Sequence, residues 1–230
     1  MLKKARLFLR LGLLICFAVL VACGPLYADI AEPTADTEKA YDDSLVSQHP
    51  CAPPCWYGIV PNESTKEQSI SVLAELSFID PDTIEFHAVS DGEQILWGWG
   101  SSQASTDNHN GTIVVNNDDR VETISVGLEY DLEIQQLIME YGNPDIVYVF
   151  PWPPDLAPPD FNIELYWFRF GLVTYSGILN GQRVQADTYV TGVTYYKPVS
   201  TLEELLGIFP NRFESGRIQD WQGLDAIEIP

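Results

Sequence analysis

Residues 51–76, CAPPCWYGIVPNESTKEQSISVLAEL, constrain the fold more than any other stretch. Pro53 and Pro54 fix φ between Cys51 and Cys55, so the two thiols are held close before any tertiary contact forms. Trp56, Tyr57 and Ile59 follow at once and can pack beside that staple. Asn62 tolerates a left-handed turn, and Ser64 with Glu67 three residues on reads as a capping box opening a helix. The segment reads as the nucleation point of a folded domain.

What precedes it is of a different kind. Lys3, Lys4, Arg6 and Arg10 form a positive leader, and residues 11–22 are an apolar run shorter than the ~20 residues a spanning helix needs. This is the pattern of a secretory signal over residues 1–22. Leu20-Val21-Ala22-Cys23 resembles the bacterial lipobox, which makes Cys23 the expected lipidation site and mature N-terminus; the alternative is ordinary cleavage near Ala28. Residues 23–50 are polar and acidic without sustained periodicity, and read as a flexible tether. The expected location is the extracytoplasmic side of a cell membrane, reached through the N-terminal lipid.

Charge narrows the partners. Four of the 12 basic residues sit in the leader and all 33 acidic ones lie beyond it, so its removal takes the net charge from −21 to −25. A body this acidic repels nucleic acid and anionic head groups. With Cys16 lost in the leader and Cys23 lipidated, Cys51 and Cys55 remain, and in an oxidising compartment they are most simply a disulfide. A soft-metal or redox carrier using the same two cysteines with His49 is the alternative.

From residue 65 to 76 the apolar spacing is helical, ended by Asp80-Pro81. Period-two alternation then predicts a hairpin (Ile84, Phe86 and Ala88; Ile95, Trp97 and Trp99) and a second one through Ile113, Val115, Val121, Ile124 and Val126. Asp131 is the expected cap of a helix carrying Ile134, Leu137, Ile138 and Tyr141, closed by Gly142 and Pro144. Strands follow over residues 145–150, 161–168, 170–178 and 184–196, then a helix capped by Ser200 with Glu203 and stopped at Gly207. The expected fold over residues 51–230 is α+β. An antiparallel meander carries short helices on one face, in two tandem helix-plus-meander units (about 51–128 and 129–206) with an irregular tail, 207–230.

Cys51-x-x-x-Cys55-Trp56-x-Gly58-Ile59-x-Pro61, with its capped helix and Tyr141-Gly142-x-Pro144-Asp145, resembles a group of bacterial lipoproteins sharing a PCWxGIxPGxT segment. Asn62 stands where that group has Gly. The Gly-x-Pro stop before a meander is similar to outer-membrane-assembly lipoproteins of the SmpA/OmlA type and to β-lactamase-inhibitor-protein-like folds. That similarity implies protein binding by an open sheet face and loops.

No catalytic or cofactor motif stands out. His49, His87 and His109 belong to no zinc or nucleophile pattern, His87 falls on the solvent side of its strand, and no Gly-rich phosphate loop is present. No enzyme activity and no cofactor are expected. Asp107, Asn108, Asn110 and residues 116–119 offer oxygen ligands without EF-hand spacing, and read as turn residues. Trp97 and Trp99 share a strand face, with Tyr166 and Phe168 as counterparts; if open, that face would bind a partner or sugar, and if covered, it is core. Trp152, in the stiff PWPPDLAPPD loop, is the other candidate contact. The expected function is an envelope adaptor that binds another envelope or extracellular protein, with a carbohydrate or cell-wall module as the alternative.

Overall fold

In the computed structural model the alternating residues assemble into one nine-stranded antiparallel sheet, ordered β1-β2-β3-β4-β8-β7-β6-β5-β9. The structure describes residues 42–99, 110–151, 161–178 and 183–229. The strands are β1 (Glu85–Val89), β2 (Gly92–Trp97), β3 (Gly111–Asn116), β4 (Val121–Gly127), β5 (Ile146–Pro151), β6 (Phe161–Trp167), β7 (Leu172–Ile178), β8 (Gly192–Tyr196) and β9 (Arg217–Asp220). Strands β1 to β4 and β5 to β8 each run as a meander. Their last strands, β4 and β8, pair from Thr123↔Tyr196 to Gly127↔Gly192.

Strand alternation splits the side chains between two faces. Ile95, Trp97, Ile113, Ile124, Val147, Leu165, Trp167 and Val193 lie on the first face, under α1 (Ser44–Ser47), α2 (Lys66–Glu75) and α3 (Ile134–Tyr141). These helices supply Leu45, Leu73, Ile134, Leu137 and Tyr141 to the same core. The opposite face carries Ile146, Tyr148, Tyr166, Val173 and Tyr196, covered by Leu205 of α4 (Leu202–Ile208) with Phe209 and Phe213 behind it. Among the described residues helices therefore stand on both faces, because the second meander is apolar on both sides; of the three expected helices α2 and α3 share one face and α4 lies on the other, which corrects the expectation of one helical face.

Several boundaries move for local reasons. The cap of α2 is Thr65, whose Oγ1 accepts from the Gln68 N–H while Gln68 Oε1 accepts from the Thr65 N–H. Ser64 is unavailable as the cap because its Oγ accepts from the Val60 N–H at 2.9 Å. In the same way Thr201, one residue after Ser200, caps α4 through the Glu204 N–H, and the helix runs one residue past Gly207. Helix α3 starts at Ile134 rather than after Asp131, with Gln136 Oε1 accepting from the Glu133 N–H. Gly142 does end it, at φ 78°, and the helix-end carbonyls of Gly142 and Tyr141 accept from Trp167 Nε1 and Arg169 Nη2.

Three further corrections concern length. Strand β8 begins only at Gly192, because residues before it spend their backbone groups on the approach to α3 (Ile134 N–H to Thr188 O, Val190 N–H to Leu132 O). The tail contributes β9, which pairs with β5 from Ile146↔Asp220 to Val149↔Arg217. Finally, residues 42–50, assigned to the tether by composition, belong to the folded unit. Leu45 is buried, Asp42 accepts from Trp56 Nε1 at 2.7 Å, and Tyr141 donates its hydroxyl hydrogen to the Leu45 carbonyl.

Candidate functional site

Trp97 and Trp99 are core residues. They are 0% and 4% exposed, and α2 with the residues around Trp56 closes their face. Trp97 stacks on Trp56 at 5.3 Å between ring centroids, and Trp99 meets Phe78 at 5.5 Å. The indole of Trp97 lies over Gly111, its partner across β2 and β3, where an added Cβ would fall 1.9 Å from the ring. The same face of the second meander presents Trp167; Tyr166 and Phe168, the expected counterparts, lie in the other core. Trp152 and Cys23 lie outside the described residues.

Cys51 and Cys55 are joined by a disulfide with the Cα atoms 5.7 Å apart, so neither sulfur is a metal-binding thiolate in this state. Among the described residues no group of three or more His, Cys, Asp or Glu side chains could hold a metal ion. Asn116 Oδ1 accepts from the Asp118 and Arg120 N–H groups and Asp119 sits at φ 61°, so this stretch works as a turn. Asn110 Oδ1 accepts from the Trp99 N–H, while His109, Asp107 and Asn108 lie outside the described residues. His87 is exposed on β1, but so are the other four residues of that strand, Phe86 included, so the expected alternation of a buried and a solvent side is absent there.

The open concavity is on the opposite face, where α4 and Phe213 stop short of β3, β4 and β8. It is a groove of about 1700 Å³. Glycine makes it. Gly127 and Gly192 pair across β4 and β8, and Gly177 sits across from Asn162, so part of the floor carries no side chains. Beside this bare patch runs a row of hydroxyls: Ser125 Oγ and Thr194 Oγ1 are 2.7 Å apart, and the Tyr175 hydroxyl donates to Thr194 Oγ1 at 2.7 Å. Burial pushes the Tyr175 phenol up to about 12, so it is a neutral donor at physiological pH. Tyr189, about half exposed, and Phe150 stand among the lining residues.

At one end lies a buried charge on the sheet. Glu164 is 0% exposed in the middle of β6, and Arg212 closes on it edge-on, with Nε 3.1 Å from Oε2 and Nη2 2.5 Å from Oε1. Tyr166 adds its hydroxyl to Oε2 at 2.5 Å. Burial works against the Arg212 cation, but Tyr175 and the bond to Glu164 outweigh it and hold the guanidinium protonated. Its central carbon lies 5.1 Å from the Tyr175 ring centroid and 5.9 Å from that of Phe209. Edge and faces of Arg212 are thereby fixed.

Glu164, Tyr175, Arg212 and the floor glycines were not singled out by sequence reasoning. Two signals were present: Glu164 interrupts the apolar run of β6, and three glycines fall on one face of neighbouring strands. Comparison with family models, curated proteins and solved structures returns no match. Among the described residues no helix is long and apolar enough to cross a membrane.

Proposed function

We propose that this protein is a lipid-anchored, extracytoplasmic adaptor that binds a segment of another envelope or extracellular protein in the glycine-floored groove. The groove carries this reading. Its volume of about 1700 Å³ exceeds the ~300–1,000 Å³ of a small-molecule pocket and suits an extended stretch of polypeptide. Tyrosine and arginine, the residues that most often dominate protein interfaces, line it as Tyr175, Tyr189, Arg183 and Arg212. The anchor at Cys23, with most of residues 23–50 as tether, would hold the domain beside the membrane. The fold supports two tandem helix-plus-meander units joined back to back, since the strand order of the second meander mirrors the first about the β4–β8 seam.

A second reading, carbohydrate or cell-wall binding, is favoured by one observation: much of the lining is neutral hydroxyl and amide (Thr112, Ser125, Asn162, Gln185, Thr188). Photocrosslinking in cells separates the two. Probes replacing Tyr189 and Thr112 in the groove should capture the same protein, while a probe at Met139, exposed on α3, should not. Capture that is equal at all three positions, or at Met139 alone, would remove the groove from consideration. Glycan-array binding that disappears in Thr112→Trp would establish the second reading instead.

A further inference from the structure

We propose that Arg212 is the groove's recognition point for a carboxylate of the bound protein segment, with an aromatic side group next to that carboxylate lying over the Gly127–Gly192 floor. The inference rests on the protein-binding reading above and adds the chemistry of the ligand. Arg212 spends only one edge of its guanidinium on Glu164, through Nε and Nη2. Its Nη1 has no hydrogen-bond partner among the described residues, and the residue's side group, 35% exposed, lines the groove. A guanidinium whose one edge is tied to a fully buried carboxylate and whose faces rest on Tyr175 and Phe209 has little rotamer freedom left to lose. It is a pre-organised donor pointing its remaining N–H groups at whatever enters. The complementary group is an anion, and the planar fork matches a carboxylate.

The position of the bare floor fixes what accompanies it. Glu164, Tyr175, Gly192 and Gly127 are successive cross-strand neighbours on β6, β7, β8 and β4. An added Cβ on Gly192 would meet the Tyr175 ring at 3.6 Å, so the glycine pair begins at the edge of the ring that carries Arg212 and extends one strand further, to Gly127. An aromatic ring and the carboxylate of the same or the adjacent residue span that distance. Fields from distant surface carboxylates are screened within about 8 Å in physiological salt; of the acidic residues lining the groove, Glu164 is already committed to Arg212, and Asp187 is the other.

The carboxylate has two sources, the C-terminus of a polypeptide or an acidic residue within it, and three probes tell them apart. N-acetylphenylalanine has a terminal carboxylate beside its ring, N-acetylaspartyl-phenylalaninamide has only the aspartyl carboxylate, and N-acetylphenylalanine methyl ester has none. Each is titrated into the full-length protein in detergent and followed by ligand-observed NMR. At least one carboxylate probe should bind, with a Kd on the order of 1 mM for fragments of this size. The ester should bind at least about tenfold more weakly, and Arg212→Lys, which keeps the charge but loses the fork, should weaken the carboxylate probe by a similar factor while its circular dichroism is unchanged. The stronger of the two carboxylate probes identifies the source. Equal binding of acid and ester in the native protein overturns the inference without reference to any variant. So does unaltered binding in a folded Arg212→Lys, displacement of the probes by a neutral cell-wall oligosaccharide, or no binding by any probe. If these fail while Tyr189 still captures a partner, Arg212's role is lost and the adaptor reading stands; loss of capture at Tyr189 removes the adaptor reading itself.

Discussion

Trp97, Thr112 and Tyr148 separate packing from recognition at the scale of single residues. Trp97 is wholly buried between Trp56 and Gly111, so Trp97→Ala should cost about 3–5 kcal/mol, read from urea unfolding, through lost apolar contact and the cavity left behind. Thr112→Trp, in the groove, should leave the unfolding free energy in urea within about 0.5 kcal/mol of the parent and abolish capture from Tyr189. Tyr148 poses the reverse case. Its ring stacks on Phe150 and meets Phe213 edge-on, at 5.0 and 4.9 Å, but its hydroxyl is buried without a hydrogen-bond partner among the described residues. Tyr148→Phe keeps both ring contacts and removes the orphaned hydroxyl, so denaturant unfolding should show it neutral or up to about 1 kcal/mol more stable. At this scale the sequence was half legible. Alternation placed Trp97 and Trp99 on one face but could not say whether that face was covered, because its cover, α2 and Trp56, is defined only by tertiary packing. The groove was invisible for the same reason: Ser125, Glu164, Gly192 and Arg212 are ordinary residues, far apart in sequence, that only strand register and the fold of the tail bring together.

Local signals gave the existence of most elements and missed most edges by a residue or two, but the strand expected from residue 184 starts only at Gly192. The signatures at Ser64 and Ser200 were each one residue early, because a hydroxyl caps a helix only if no nearer donor claims it, and the Val60 N–H claims Ser64. Thr65→Ala should therefore cost about 1 kcal/mol in thermal or denaturant unfolding. The Cys51–Cys55 clamp is local as well. It closes a very short loop, so little entropy is withheld from the unfolded state, and the Cys51→Ser, Cys55→Ser double variant should lose only about 1–2 kcal/mol, below the usual range. A loss several times larger would mean that the pair positions Trp56 and its stack rather than merely fastening two turns. Strand β9 escaped detection because RIQD alternates over too few residues to register; only pairing with β5 makes it a strand.

For the whole molecule, the tyrosines set the response to pH. The phenols of Tyr57, Tyr141, Tyr166, Tyr195 and Tyr196 are all pushed up, chiefly by burial, and that of Tyr175 to about 12. In the unfolded state each ionises near 10. Above that value the unfolded state sheds protons that the native state keeps, so the contribution of these groups to stability is whole below about pH 10 and declines as pH rises toward the folded values. Melting temperatures should be level through neutral pH and fall steeply beyond about pH 10, with the tyrosinate absorbance of these buried phenols appearing together with unfolding rather than ahead of it.

The seam between the meanders has a kinetic meaning. Every other strand pair in β1 to β8 joins neighbours in sequence, whereas Ser125 on β4 meets Thr194 on β8 across 69 residues. Each meander can form by short loop closures, but joining them must bring together the far ends of a long intervening segment, and the entropy of that closure is spent before the contacts return it. The two halves would then zip independently and dock late, which makes the seam the place where the molecule first comes apart. The glycine pair Gly127–Gly192 sits in that seam, so a ligand lying across it would act as a latch, holding the sheet closed more firmly as its occupancy rises.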